Sequence, residues 1–418
     1  MPVSPSEAGP ESTGGEDHAA AETHRMRKSS YLEAIAYLLV FVGPLIMNAM
    51  LVLLQALSVE FGVDPTMVLT AIPAFMIPFA ILQLFSGAIS DVKGRVPVLL
   101  GGLLLFTAGL ITSAASISLV MFTAAHAVIG AGWGFVNPVI IALVTDLAPA
   151  DRIAARMGII GAVGSIGVGV GPVVAGLVVE YSWRWFYVWL SSLSVVALVT
   201  IAIVKGPPHL ANVESGVRAL LSNIAAEWRR PVVLLTLLLG FMFSETYLAT
   251  LVWTSRALSG LVDEPTVAGI LLISALMAAI VGVYTGGLIR RRGVALPMIV
   301  GAGASMISSA LLMSITGFGT AESLPLITAA LLVVGVVAGT LYPVAIYYSQ
   351  MIAPQKRGAL AGLLMSVQFA GMAVVPLTYE RFFAMGTTAL FAAILGASVL
   401  LLLVAVALYR QLPLKPQH

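Results

Sequence analysis

Asn137-Pro-Val-Ile-Ile-Ala-Leu-Val-Thr-Asp-Leu-Ala-Pro-Ala-Asp-Arg152 and Tyr342-Pro-Val-Ala-Ile-Tyr-Tyr-Ser-Gln-Met-Ile-Ala-Pro-Gln-Lys-Arg357 read alike. Each is an apolar helix interrupted by proline, leaving through Ala-Pro into a basic loop that opens another apolar run. From Asn137 to Tyr342 the offset is 205 residues, close to half of the 418. The chain is therefore one unit written twice.

Composition states what kind of unit. Hydrophobic residues make up 59% and charged residues 10%, against roughly 45–50% and about 25% in soluble domains. Such a chain belongs in a bilayer. A helical crossing needs about 20 apolar residues, and cutting at charges, Pro and Gly gives twelve segments: 31–57, 66–89, 97–115, 119–146, 155–179, 185–204, 231–255, 267–289, 295–316, 324–350, 358–379 and 387–409. Lipid offers no partner to an unpaired backbone group, so the spans must be helices or a closed barrel, and the alternating strands of a barrel are missing from the sequence. The expected fold is all-α, with two six-helix halves (31–204 and 231–410) around a central cavity. Duplicated membrane-length halves are the mark of secondary transporters, whose sites lie between the repeats.

Orientation follows from Lys and Arg in the loops. With the N-terminus in the cytoplasm, 18 of the 21 basic residues fall inside or in the tails, and only Arg184, Arg256 and Arg381 fall outside. An odd number of spans would break that pattern. The expectation is a multi-pass protein of the cell membrane with both termini cytoplasmic. Residues 1–30 read as a disordered tail and 411–418 as a second short tail. The first apolar run is too long for a signal peptide. Between the halves (205–230), Lys205-Gly-Pro-Pro208 stops the sixth segment. Val213, Val217, Leu220, Leu221, Ile224, Ala225 and Trp228 then recur at helical spacing, as in an amphipathic helix on the inner surface. The absence of cysteine excludes disulfide and thiol chemistry.

After the second segment the chain reads Gly87-Ala-Ile-Ser-Asp91-Val-Lys-Gly94-Arg95. This resembles the Gly-x-x-x-Asp-x-x-Gly-Arg signature of the major facilitator superfamily. A tight turn at a helix end accounts for the glycines, which take positive φ freely. The resemblance implies a conformational latch in which Asp91 pairs with a cation or helix N-terminus and Arg95 stays in the inner loop. In the second half Gly286, Gly287 and Gly293 echo the spacing, with Arg290 in the place of Asp91.

The fifth segment carries Gly158, Gly167, Gly171, Pro172 and Gly176. Their pattern is similar to the antiporter motif of the drug:proton exporters in that superfamily, departing where Ala175 replaces the first glycine of its final pair. Small residues let helices approach, and Gly-Pro bends the helix, so this face is expected to rock against the eighth or eleventh segment. Trp183-Arg-Trp-Phe186 also resembles the exporters. Two positions depart from them: His126-Ala-Val-Ile-Gly130 stands for Arg-x-x-x-Gly, and Asn48 for an acidic residue of one subgroup. Asn48 and His126 lie at similar depths and are candidate neighbours. Histidine titrates near neutrality when unperturbed, so His126 is either a titrating group or a neutral ring bonded inside the bundle.

Glu245 lies near the middle of the seventh segment, in Gly240-Phe-Met-Phe-Ser-Glu-Thr-Tyr-Leu248. An intramembrane carboxyl is expensive, faces the bundle interior and marks ion or proton routes. Glu245 is the leading proton-coupling candidate, with His126 second. The cavity candidates are Asn48, Gln55, Asn137, Tyr247, Tyr342 and Gln368, within a sparse polar set that also includes Gln83, Tyr347, Tyr348 and Tyr379. Seventeen methionines supply adaptable walls. The reading is a proton-coupled exporter of small amphipathic or lipophilic compounds, working by alternating access. The alternatives are a symporter or importer of a small organic nutrient, or a non-transporting receptor or scaffold. An enzyme is disfavoured by the lack of His-Glu-x-x-His, Gly-x-Ser-x-Gly or clustered metal ligands. No cofactor, no metal and no ATP motif are expected. The partners are a small solute, protons and the bilayer, without nucleic acid, and the chain is expected to act as a monomer.

Overall fold

A computed structural model describes residues 13–149, 152–204, 217–227, 229–352 and 357–411. They form helices α1 (Thr13–Phe61), α2 (Pro65–Val68), α3 (Ala71–Lys93), α4 (Arg95–Ala114), α5 (Leu119–Leu147), α6 (Ile153–Val178) and α7 (Arg184–Val204). A short α8 (Val217–Glu227) precedes α9 (Pro231–Leu258), α10 (Glu264–Arg292), α11 (Ala295–Met313), α12 (Leu324–Met351), α13 (Arg357–Ala384) and α14 (Thr387–Arg410). Eleven of these are long and apolar enough to cross a membrane, and α1, taken as one bent span, makes twelve. Its two parts, Ser30–Ile46 and Asn48–Phe61, meet at 46°. Pro44 lies just before the break, where its missing N–H and its ring disturb the helical ladder.

The duplication is visible in the packing. In the first half α3 packs on α5, α4 on α5, α1 on α6 and α4 on α7; in the second, α10 packs on α12, α11 on α12, α9 on α13 and α11 on α14. Every pair recurs six spans later. Close contacts recur as well: Gly130 abuts the Phe75 backbone and Gly335 that of Ser274, while Gly167 abuts Phe41 and Gly371 abuts Phe241. Small residues at these crossings let backbones meet, which drives helix association where lipid removes the hydrophobic drive.

Between the halves α3 packs on α13 and α6 on α10. We call the face holding α8 and the ends of α3, α5 and α7 the linker face, and the opposite one the far face. At the far face the halves share one apolar core, from Leu53 and Phe122 across to Trp253, Leu271, Ile327 and Phe391. Towards the linker face the second half has cores of its own, around Met298, Leu341 and Leu401 and around Leu237, Ala345 and Leu364. The molecule is thus joined most continuously at the far face.

The first helix begins at Thr13, within the stretch expected to be a disordered tail. Ala, Glu, Arg and Lys are good helix formers, and nothing after Gly15 breaks the run into the first span. The linker helix is present as α8 and packs against α3 and α13, bridging the halves. Val213 and Trp228 of that expectation, like Lys205 to Pro208, lie outside the described residues, as does 412–418 of the terminal tail.

Candidate functional site

At the far face the halves are tied by polar contacts. Arg256, in the last turn of α9, donates from Nη2 to Asp64 Oδ1 at 3.0 Å and from Nε to Thr66 Oγ1 at 2.9 Å. Its guanidinium also lies over the Phe383 ring of α13, 5.0 Å from the centroid. Asp64 caps α2 through the Thr66 N–H at 2.7 Å. Partial burial pushes the Asp64 pKa up, but the bonds from Thr66 and the Arg256 charge outweigh it and hold the carboxyl below its ordinary 3.8. Beside this pair Ser259 donates to Gln55 Oε1 at 3.1 Å, and Gly260, at φ +76°, lies against the same amide. The recess among Gln55, Ser255, Ser259 and Gly260 is no larger than about one water. Gln55, expected in the cavity, is bonded here to Ser259 of the other half.

Deeper, α9 and α13 run side by side. Glu245 is 6% exposed, and the Tyr379 hydroxyl of α13 lies beside its carboxyl. Gln368, on the same face of α13, lies against Gly240 and is buried. Tyr342 of α12 is 49% exposed, and Tyr247 of α9 is partly buried. Asn137 is half-buried next to Pro138, where α5 lacks a backbone donor.

His126 lies elsewhere. Nδ1–H donates to the Phe122 carbonyl at 2.9 Å, and Nε2 accepts from the Tyr187 hydroxyl of α7 at 3.3 Å. Phe122 and Tyr187 enclose the ring, with Phe61 and Trp183 behind Phe122. Both nitrogens are engaged within the first half, which suits a fixed neutral ring. Asn48 is buried at the bend of α1, and no described bond joins it to His126.

At the linker face, Gly94 ends α3 at φ +96°, and its N–H donates to the Ser90 carbonyl. Gly293 repeats this at the end of α10, at φ +77° with its N–H on Ile289. Gly87 is different: it sits inside α3 with open space beside it, so the turn does not account for it. Arg95 pairs with Asp91 one turn away and with Asp146 at the end of α5, at 3.0 Å, and donates to Ser90 Oγ at 2.6 Å. Asp146 was missed by the signature, although it lies inside the repeated stretch quoted first.

The glycines of α6 divide between two partners. A Cβ on Gly167 would come within 2.5 Å of the Phe41 carbonyl, and one on Gly171 would strike that of Leu45, so both pack on α1 of their own half. Gly176 and Gly169 face α10 of the other half, with Ala268 and Leu272 at 3.1 and 3.2 Å from a would-be Cβ. Pro172 is buried inside the helix. Gly158 stands on the same helix, and its surroundings lie outside the described residues.

Sequence comparison decides the family. The Major Facilitator Superfamily profile matches residues 34–376, most of the chain. The chain belongs to the major facilitator superfamily. This is a family of transporters and not of enzymes. The uncharacterized MFS-type transporter YceJ of Bacillus subtilis (strain 168) is 27% identical over 372 residues, covering 86% of this chain and 90% of YceJ. The putative multidrug resistance protein MdtD of Serratia proteamaculans (strain 568) is 30% identical over 135 residues, 32% of this chain and 28% of MdtD. Against the uncharacterized MFS-type transporter Rv1877 of Mycobacterium tuberculosis, the match spans only 20% of that relative's length. The nucleoside transporter NupG superposes with a TM-score of 0.70 at 15% identity, covering 92% of this chain and all of NupG. A D-xylose-proton symporter gives 0.72 at 15% identity, covering 92% and 98%. These superpositions establish the superfamily fold across both halves.

Proposed function

We propose that this superfamily member is a proton-coupled exporter of small amphipathic compounds, operating by alternating access between its halves. The observation that carries the reading is Glu245, a carboxyl buried mid-span with the Tyr379 hydroxyl beside it. A carboxylate in an apolar seam is costly when charged. Binding a proton lets α9 close on α13, and release follows when the seam opens to water. Solute enters beside that seam past Tyr247 of α9 and Tyr342 of α12, so proton and solute both act on α9. Breaking the Arg256 and Gln55 contacts opens the far face, while Asp91 and Arg95 set the closing of the linker face. The relatives named as putative multidrug resistance proteins support export. The loop charges support a cytoplasmic linker face, cytoplasmic termini and a cell-membrane location.

In this reading His126 fixes the first half and takes no proton. Import is the second reading, favoured by Asn48 and His126 standing where the exporter pattern has an acid and an arginine. Purified protein in liposomes under an imposed pH gradient tests both. Glu245→Gln should keep solute binding while gradient-driven movement collapses, and unchanged driven transport in that variant removes the coupling role. Accumulation against the gradient in the inward direction alone would replace export by import.

A further inference from the structure

Gln83 on α3 and Gln368 on α13 are 4% and 3% exposed. Neither Nε2 nor Oε1 of Gln83, nor Nε2 of Gln368, has a hydrogen-bond partner among the described residues. The two lie along one seam between the halves. Phe79, one turn before Gln83, meets Phe369, next to Gln368, with ring centroids 4.3 Å apart. A Cβ on Gly240 of α9 would lie 3.3 Å from Gln368 Cγ. Ser244, one turn further along α9, has a buried Oγ that is also unpartnered, and Glu245 follows it. Unpartnered polar groups therefore lie on α13 and on α3 and α9, the two helices that pack against it, near the proposed coupling acid.

Each buried polar group without a partner costs roughly 1–3 kcal/mol. Natural chains keep such groups chiefly where function uses them. We infer that the carboxamides of Gln83 and Gln368 form the hydrogen-bonding part of the solute site, taking a neutral solute with an N–H donor beside a carbonyl acceptor, such as a carboxamide or lactam. A carboxamide presents donor and acceptor side by side in one plane, and its complement is another such pair. Two uncharged amides supply no counter-charge to a permanent ion. Phe79, Phe369 and Tyr247 provide apolar faces for the rest of the solute. This inference rests on the transport reading only in requiring that the seam open to a solute, and it is independent of proton coupling.

The test is thermal melting of the purified full-length protein in detergent, with benzamide and 2-pyridone beside N,N-dimethylbenzamide and N-methyl-2-pyridone. Wild type should melt higher with the N–H compounds and not with their methylated counterparts. In Gln83→Leu and Gln368→Leu that rise should be lost, with apparent affinity falling about tenfold or more, the equivalent of 1.4 kcal/mol. Without solute these variants should melt no lower than wild type, because removing an unpartnered amide removes its desolvation cost. Gln83→Met serves the same purpose if the leucine does not fold. Early melting of every folded variant, equal shifts by both compound sets, or no shift of wild type would each overturn the inference. Proton coupling fails separately: carboxamide binding together with undiminished driven transport in Glu245→Gln removes the coupling role and leaves this site standing.

Discussion

At the scale of single residues, the clearest contrast is between Glu245 and His126. Both were marked by the rarity of ionisable groups inside apolar segments. Their surroundings separate them, since one sits beside the Tyr379 hydroxyl between α9 and α13, and the other has both nitrogens bonded inside the first half. Tyr187→Phe leaves a buried Nε2 without its donor, so it should cost roughly 1–3 kcal/mol of stability. His126→Ala should cost more, because it also opens a cavity among Phe122, Tyr187 and their neighbours. Neither change should move the pH profile of transport, measured in liposomes beside melting in detergent. A displaced profile in His126→Ala would return the histidine to the proton path.

At the scale of elements, α6 presents glycine to two different partners. Gly167→Val and Gly171→Val should overpack α6 against α1 and lower stability, typically by about 1–3 kcal/mol, with activity falling in proportion to folded protein. Gly169→Val and Gly176→Val act on the contact with α10, where the halves meet, and should slow transport with a smaller loss of melting temperature. Equal behaviour of the two pairs would reduce the motif to plain packing. The far-face tie is also an element property, joining α2 to the end of α9. The Asp64 pKa is depressed, and a depressed carboxylate contributes above its unfolded value and loses that contribution as pH falls through the folded one. Closure of this face should therefore stay constant from neutral pH down to about 4 and weaken below it. Spin-label distances across the far face would report this, and opening that already begins near pH 6 would show that another group controls it. An exposed pair is worth about 0.2–1 kcal/mol, so Asp64→Asn should shift the closed-to-open ratio by no more than about fivefold.

At the scale of the whole molecule, the proposed exchange between open faces involves the linker-face charges. Asp91 and Arg95 lie there, and Asp146 ties them to the end of α5. Asp91→Asn leaves the Arg95–Asp146 pair intact but removes one charge from the network, so the balance of conformers should shift. A change from 50:50 to 90:10 needs only about 1.3 kcal/mol, given that tenfold is 1.4. Spin labels across the linker face measure it, with Asp146→Asn as the parallel test. Distance distributions identical to wild type in both variants would leave the network without a switching role.

The sequence alone determined the number and order of spans, the duplication and the family signature. Those depend on local quantities: apolar length against bilayer thickness, proline and glycine breaks, and charge in loops. Segment 119–146 became Leu119–Leu147 and segment 387–409 became Thr387–Arg410 for that reason. Gly94 was readable because its role, a positive φ at a helix end, is a property of the chain around it. Tertiary structure decided which residues share a site. Gln55 met Ser259 of the other half, Arg256 found Asp64 192 positions away, and Phe79 beside Gln83 met Phe369 beside Gln368. Arg256 did carry a faint signal, as a cation on the face depleted of them. Its partner carried none, because pairing between halves depends on how two helical bundles are turned towards each other, and no spacing along one chain encodes that rotation.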